Sequence, residues 1–265
     1  MNTFKNLYKN RYILSELVRR RVKTQYRNSA LGMFWTILNP LLNMLVMWLV
    51  FSQFFGDGDP LYPIYLLTGN ILFSCLRGAT DGALQSIVNN RGLLTRVKID
   101  SYLFPLSTTL SSVINLAFSM IALLLIMLGM QIFGGYQIYS FRIFVVFLMI
   151  PAFVMFEYGI GLFLSAIYVF CRDIKYLYSV FLTLWTYITP VFYKLNRLGS
   201  GTLAETVVKL NPMYYFLRYF RDCMYAGWSS SPIQDLLVLY LLGIASVIIG
   251  IAVYKPLKKH FMRHI

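Results

Sequence analysis

Charge is what this chain of 265 residues has least of: Asp, Glu, Lys and Arg together make up 13% of it, and only 10 residues are acidic. With 58% hydrophobic residues, a soluble globule of this length would leave far too much apolar surface in water, which excludes a soluble domain. The chain has no GxxxxGK[ST] phosphate loop and no HExxH, so it carries neither of those chemistries. Its two histidines, His260 and His264, stand four apart near the last residue, where a solvated tail is the simpler reading than a metal site. The three cysteines, Cys75, Cys171 and Cys223, lie at different expected depths and offer neither a CxxC pair nor a disulfide framework. The net charge of +14 does not point to nucleic acid, because the cations sit beside hydrophobic runs rather than across a polar domain.

What is present is a series of long apolar runs. Residues 31–55 contain no charged side chain, and at about 1.5 Å per residue they reach across a hydrocarbon core of ~30 Å. Further spans are expected at 64–87, 106–133, 144–170, 176–193 and 236–254, with no cleavable leader before the first. Six spans place both termini on one side. Of the 24 Lys and Arg residues, 17 fall in segments assigned to that side and six to the other, so both termini are expected in the cytoplasm. The expected fold is an all-α membrane protein, a single permease domain over 1–265.

The segments between and before the spans carry the more specific signals. In 1–29, Leu14, Leu17, Val18, Val22 and Tyr26 share one side of a helical wheel, while Arg19, Arg20, Lys23 and Arg27 share the other; Arg21 alone falls among the apolar positions. That pattern fits an amphipathic interfacial helix against anionic lipid, or a topology signal only. The inside segment 89–105 brings Arg91, Arg96, Lys98 and Asp100 together, with room for a short helix that takes force from a soluble partner, or for a solvated basic loop. The tight inside corner at 170–177 offers Arg172 and Asp173 to cap the two helices it joins.

Polar groups inside the expected spans leave alternatives open. Arg77 and Asp81 share a helix face, as a structural ion pair or as part of a translocation path. Thr108, Ser112, Asn115 and Ser119 form a stripe that suits close helix packing or a hydrated conduit. Glu157, alone near mid-span, is expected to hydrogen-bond between helices. Pro190 should kink or end the fifth span within a belt of Trp185, Tyr187, Phe192 and Tyr193. Residues 195–231 are too polar to span and too apolar for a free loop; Asn211 as N-cap with Pro212 after it splits them into a re-entrant hairpin, 202–210 and 213–225. Lys194, Arg197, Lys209, Arg218 and Arg221 lie outside, against the charge bias, and suit a polyanionic or diphosphate ligand or lipid headgroups.

Four motifs in order then carry a family resemblance over nearly the whole chain. They are RRxxKxxYRxSxLGxxWxxLNPLLxMLVxxxVF from Arg19, the basic segment closing in FPLS at Phe104, VFxRDI at Val169, and ITPVFY followed by LNPMYYFLRYFRD from Ile188 to Asp222. Together they resemble the permease subunit of type-2 ATP-binding cassette exporters of O antigen, wall teichoic acid and capsular polysaccharide. The resemblance implies a homodimer in the bacterial cytoplasmic (inner) membrane, working with two ATPase subunits that bind the ATP and Mg, this chain binding no cofactor. It implies a cargo of undecaprenyl-diphosphate-linked polysaccharide. Arg91, Arg96, Lys98, Asp100, Arg172 and Asp173 become ATPase-coupling residues, although Asp100 stands where the family more usually has a basic residue. Arg19, Arg20, Lys23 and Arg27 become candidates to recruit the lipid diphosphate. Trp35, Trp48, Tyr187, Tyr193 and Tyr215 would line the polysaccharide path, with Phe192, Tyr214 and Tyr219 completing the path and outer gate. An exporter of drugs or small lipids is the alternative within transport. A membrane-embedded glycosyl- or acyltransferase is the alternative outside it, and that reading lacks a catalytic constellation; an ion channel would want a filter or charged rings.

Overall fold

A computed structural model of the protein describes residues 10–25, 32–55, 59–97, 99–135, 141–195, 201–226 and 231–261. In chain order the helices are α1 (Arg11–Gln25), α2 (Trp35–Phe55), α3 (Tyr62–Asn89), α4 (Arg91–Arg96), α5 (Leu103–Gly134) and α6 (Val146–Phe170). After them come α7 (Ile174–Ile188), α8 (Leu203–Leu210), α9 (Pro212–Arg221) and α10 (Pro232–Lys258). Among the described residues, three stretches are long and apolar enough to cross a membrane: Leu103–Gly134, Arg142–Phe170 and Pro232–Lys258. The other expected spans take different forms. The first is α2, preceded by a short 3-10 turn at Gly32–Phe34; the second is α3, apolar but interrupted by charge; the fifth is α7, only 15 residues long.

The bundle is organised around α3. Ile64, Leu67, Leu72, Leu76 and Leu84 are fully buried, and α2, α5, α6 and α7 all pack against this helix. Its charged residues, Arg77 and Asp81, lie on the face that these neighbours leave uncovered. The closest packing is elsewhere, between α6 and α10. There a side chain at Gly159 would collide with the Ser246 backbone, and one at Gly250 with the Gly159 carbonyl. With no hydrophobic effect to drive association in lipid, that close approach supplies the dispersion contacts holding the pair together. Gly159→Leu is therefore expected to cost about 1–3 kcal/mol or more. The check is a loss of the monodisperse peak on size exclusion in detergent, with Gly159→Ala giving a smaller loss.

The hairpin α8–α9 forms as its caps dictate. Thr202 Oγ1 accepts the Glu205 N–H at 3.3 Å, and Asn211 Oδ1 accepts the Met213 N–H at 3.0 Å with Pro212 at the first helical position. Gly201, with φ of +78°, makes the left-handed turn into α8. Helix α9 is deeply embedded: Phe216 lies 5.2 Å from Phe153 and 5.1 Å from Phe156 of α6, ring centre to ring centre. The hairpin is thus buried in protein on its α9 side, while Leu203, Val207 and Leu210 of α8 stay exposed. Helix α7 ends at Ile188 rather than continuing to 193, since Pro190 has no N–H with which to extend it.

Candidate functional site

Along α3, Asn70, Ser74, Arg77, Gly78 and Asp81 share one side of the helix and are among the positions that its neighbours leave uncovered. Two cavities open beside this polar line. The first, about 500 Å³, lies between α1, α3 and α5, and its charged lining is Arg20 and Arg21. Thr24, Asn90, Ser107 and Ser111 add hydroxyl and amide groups. The second, about 320 Å³, lies between α2, α3 and α5 and contains no charged side chain; Asn39, Asn43, Asn70, Ser74 and Ser119 supply its polarity and Trp35 stands at its edge. Gln25, Gly78, Ser112 and Asn115 line both, so the two adjoin. From Asn90 to Asn70 they follow α3 for about 30 Å at 1.5 Å per residue, the thickness of a hydrocarbon core.

The stripe on α5 faces these cavities. Thr108 and Ser112 donate back to carbonyls of their own helix, at 2.7 and 3.3 Å, so they do not bridge helices. Asn115 reaches across to Gln25 Oε1 at 3.3 Å. Of the two readings open for that stripe, lining a cavity is the one the structure favours.

Arg21, the residue out of place on the helical wheel, turns inward. A side chain at Gly82 of α3 would collide with its guanidinium, and Asp81 lies within electrostatic reach. Burial lowers the ordinary value of Arg21, and the Asp81 charge opposes that shift. The remaining apolar positions of α1 pack on α5, with Val22 buried, so this face rests on protein and not on lipid alone. Arg19 and Lys23 line a separate apolar groove of about 760 Å³ with Leu110 and Ile114. Arg27 lies outside the described residues.

Several sequence expectations need correction. Arg77 makes no ion pair with Asp81; it donates to Thr186 Oγ1 of α7 at 3.3 Å. Glu157 of α6 is wholly buried against the Cys75 thiol of α3, a weak donor, so its contact between helices is to sulfur, and no N–H or O–H group among the described residues reaches its carboxyl oxygens. Asp173 occupies the N-cap position of α7 without a side-chain capping bond, because its backbone is already helical there. Asp100 turns toward α10, where Lys258 Nζ donates to it at 3.2 Å. Lys98 lies outside the described residues. Arg91 and Arg96 are exposed on α4, which buries none of its side chains, and Arg172 is exposed with its guanidinium 5.1 Å from the Tyr168 ring centre.

The cations on the hairpin side are committed within the chain. Lys194 pairs with Asp59 at 2.7 Å, Lys209 with Glu205 at 2.7 Å, and Arg218 approaches Asp222 and Asp235 at 3.9 and 4.0 Å. The hydrogen bond from Lys209 holds the Glu205 carboxyl below its usual range, helped by the Gly201 N–H. Arg197 lies outside the described residues. Arg221 is the group that sequence reasoning placed wrongly: it is 7% exposed and donates to the carbonyls of Pro190 at 2.8 Å, Tyr65 at 3.1 Å and Val191 at 3.3 Å. Its guanidinium also stacks over the Tyr65 ring at 3.5 Å, and a side chain at Gly69 would approach it to 2.9 Å. Tyr62 OH donates to the Phe192 carbonyl at 2.7 Å, and Tyr65 OH to those of Pro190 and Tyr193. The broken end of α7 thereby has its carbonyls satisfied without water.

Around this end the aromatic residues divide. Phe192 stacks on Phe51 of α2 at 5.2 Å and meets Tyr187 at 6.1 Å, linking α2 to α7 beyond the polar line. Tyr193 OH bonds to the Tyr187 and Ile188 carbonyls at 3.2 and 3.0 Å. Trp35, Trp48 and Tyr187 are exposed, Tyr214 and Tyr215 half-buried, and Tyr219 is buried at 1%, which removes it from any path. The cysteines are free, and no cluster able to hold a metal occurs among the described residues.

A membrane-embedded helical bundle with a polar cleft beside its central helix, an exposed basic helix at one end and an aromatic closure at the other defines a class: transport permeases. Residues 13–225 match the family described as ABC-2 type transporter, and the chain belongs to it. It is 31% identical to the O-antigen export system permease protein RfbA of Myxococcus xanthus, over 83% of each chain. It is 22% identical to a protein of that name from Klebsiella pneumoniae, over 94% of this chain and 93% of that one. Its identity to the capsule polysaccharide export inner-membrane protein CtrC of Neisseria meningitidis is 24%, over 93% and 91%. Membership implies an ATPase partner subunit and a transport role rather than catalysis by this chain.

Proposed function

We propose that this protein is the permease subunit of an ATP-driven exporter that moves a lipid-linked polysaccharide, carried on undecaprenyl diphosphate, across the cytoplasmic membrane. The observation that carries this reading is the pair of adjoining polar cavities beside α3, one cationic next to α1 and one neutral further along. A drug or small apolar lipid has no use for such a lining. O antigen or a related surface glycan fits it, as the names of the relatives suggest. Arg20 and Arg21 are placed to meet the diphosphate as it enters, and the groove beneath α1, rimmed by Arg19 and Lys23, to take part of the prenyl chain. Exposed Trp35, Trp48 and Tyr187 offer faces on which sugars stack without being held firmly.

Six spans with both termini in the cytoplasm put α4 and the Arg172 corner on the side of the ATPase, and the hairpin outside. Two copies of the chain, each with one ATPase subunit, would place their polar clefts so that lipid does not reach them, which a polar face at mid-membrane requires. ATP bound on the partner supplies the energy. This chain's part is to receive motion at α4 and pass it to α3, which continues into α4 through Asn90.

The test is Arg91→Glu combined with Arg96→Glu. The double variant is expected to insert in the membrane at normal levels but to lose co-purification of the ATPase and, with it, export of surface glycan. A complex that stays intact, or transport that continues without the ATPase, would overturn the proposal.

A further inference from the structure

We infer that the neutral half of the cleft, the amide groove formed by Asn39, Asn43, Asn70 and Gln25, is a binding site for the sugar next to the diphosphate of a glycosyl diphosphate lipid. The inference rests on the export reading above and adds to it a specific subsite. The groove is built from three helices and the end of α1, yet every polar group that it offers is uncharged, although Arg20 and Arg21 stand in the cavity that adjoins it. A site for a second anion would contain a cation, and a path for hydrocarbon would contain no amides. A groove of amides and hydroxyls with an indole at its edge matches one chemistry, a neutral polyhydroxylated ring with polar edges and an apolar face.

The hydrogen bonds already made there leave capacity for a ligand. Asn43 donates to Asn39 Oδ1 at 2.7 Å and to the Asn39 carbonyl at 3.0 Å, which orients both amides but leaves the Asn39 NH2 and the Asn43 Oδ1 without a partner among the described residues. Ser74 donates to Asn70 Oδ1 at 3.3 Å, leaving the Asn70 NH2, and Gln25 accepts from Asn115 through Oε1, leaving its own NH2. Three donors and an acceptor therefore face one space of about 320 Å³. Within a bundle that crosses a membrane, as the export reading has it, such groups are costly unless something polar meets them. The junction at Gly78 places this space directly after the two arginines, the order in which a diphosphate and its sugar are joined.

The experiment uses the full-length chain in lipid nanodiscs and four probes: farnesyl diphosphate, and farnesyl diphosphate carrying N-acetylglucosamine, glucose or galactose. The wild type is expected to bind at least one glycosyl probe about tenfold more tightly than farnesyl diphosphate, the gain from one or two net hydrogen bonds. Asn39→Leu with Asn70→Leu is expected to erase that gain while keeping the farnesyl diphosphate affinity, which also reports that the variant is folded. If the double variant loses both affinities, the single variants Asn39→Leu and Asn70→Leu are read in the same way, and loss of both in each of them overturns the inference. No gain for any sugar in the wild type, or a gain that survives the double substitution, overturns the amide site alone. A change of oligomeric state by light scattering on substitution also overturns it, assigning the amides to contact between copies. Failure of the wild type to bind farnesyl diphosphate at all overturns both this inference and the export reading beneath it.

Discussion

Gly78→Leu is expected to stop export while leaving the protein folded, inserted and bound to its ATPase. Gly78 lies where the cationic and neutral halves of the cleft meet, and an added Cβ would find only Ser112 Oγ, at 3.5 Å. A leucine is therefore accommodated by the helix but fills the passage. Glycine in a helix interior costs about 1 kcal/mol relative to alanine, so α3 should gain stability from the change. A residue that weakens its own helix and leaves space beside it is explained by the space. Export, followed as surface glycan, should fall at least about tenfold, which takes only about 1.4 kcal/mol of added barrier. Normal export by a leucine variant present at the wild-type level would show that cargo does not pass this point.

The second large effect is expected at Arg221. Arg221→Met removes every bond from the guanidinium to the end of α7 and leaves the Val191 carbonyl without its donor, whereas the Pro190 carbonyl keeps Tyr65 OH. Losing these charge-assisted bonds should destabilise the hairpin end by on the order of 2–4 kcal/mol, partly offset because a buried cation is also removed. Arg221→Lys should rescue little, since an ammonium lacks the planar fork that spans Pro190, Tyr65 and Val191 together. The check is a cysteine at Val191, buried at 1% in the wild type. It should react with an externally added, membrane-impermeant maleimide in the Arg221→Met background and not in its parent. Equal labelling in the two would mean that the clamp does not hold this segment shut.

Much of the architecture was legible in the residue order. The Asn211–Pro212 break forms a capped helix start, Pro190 ends α7, and 89–105 contains a short exposed helix. These features depend on local chemistry: a missing N–H, a side-chain cap, a run of polar residues next to an apolar one. Arg77, Asp100 and Arg221 were misplaced because their partners come from distant parts of the chain. Arg77 looked paired with Asp81 because helical spacing puts them on one face, but spacing says nothing of Thr186, 109 residues away, which takes the bond instead. Arg221 looked like a surface cation beside Arg218, yet it is enclosed by carbonyls of α3 and of the segment after α7.

The order of amino acids by itself determined that this is a helical membrane protein with a basic amphipathic first helix and a capped hairpin. Those properties follow from hydrophobic length, charge placement and backbone chemistry within a few residues. Only the tertiary structure decided which polar groups are spent and which face open space. It turned Arg21 inward, closed Arg221 over three carbonyls, and brought amides from α1, α2, α3 and α5 around one groove. The physical reason is that a hydrogen bond or ion pair belongs to two groups at once. A chain read along its length names each of them but does not say which will meet.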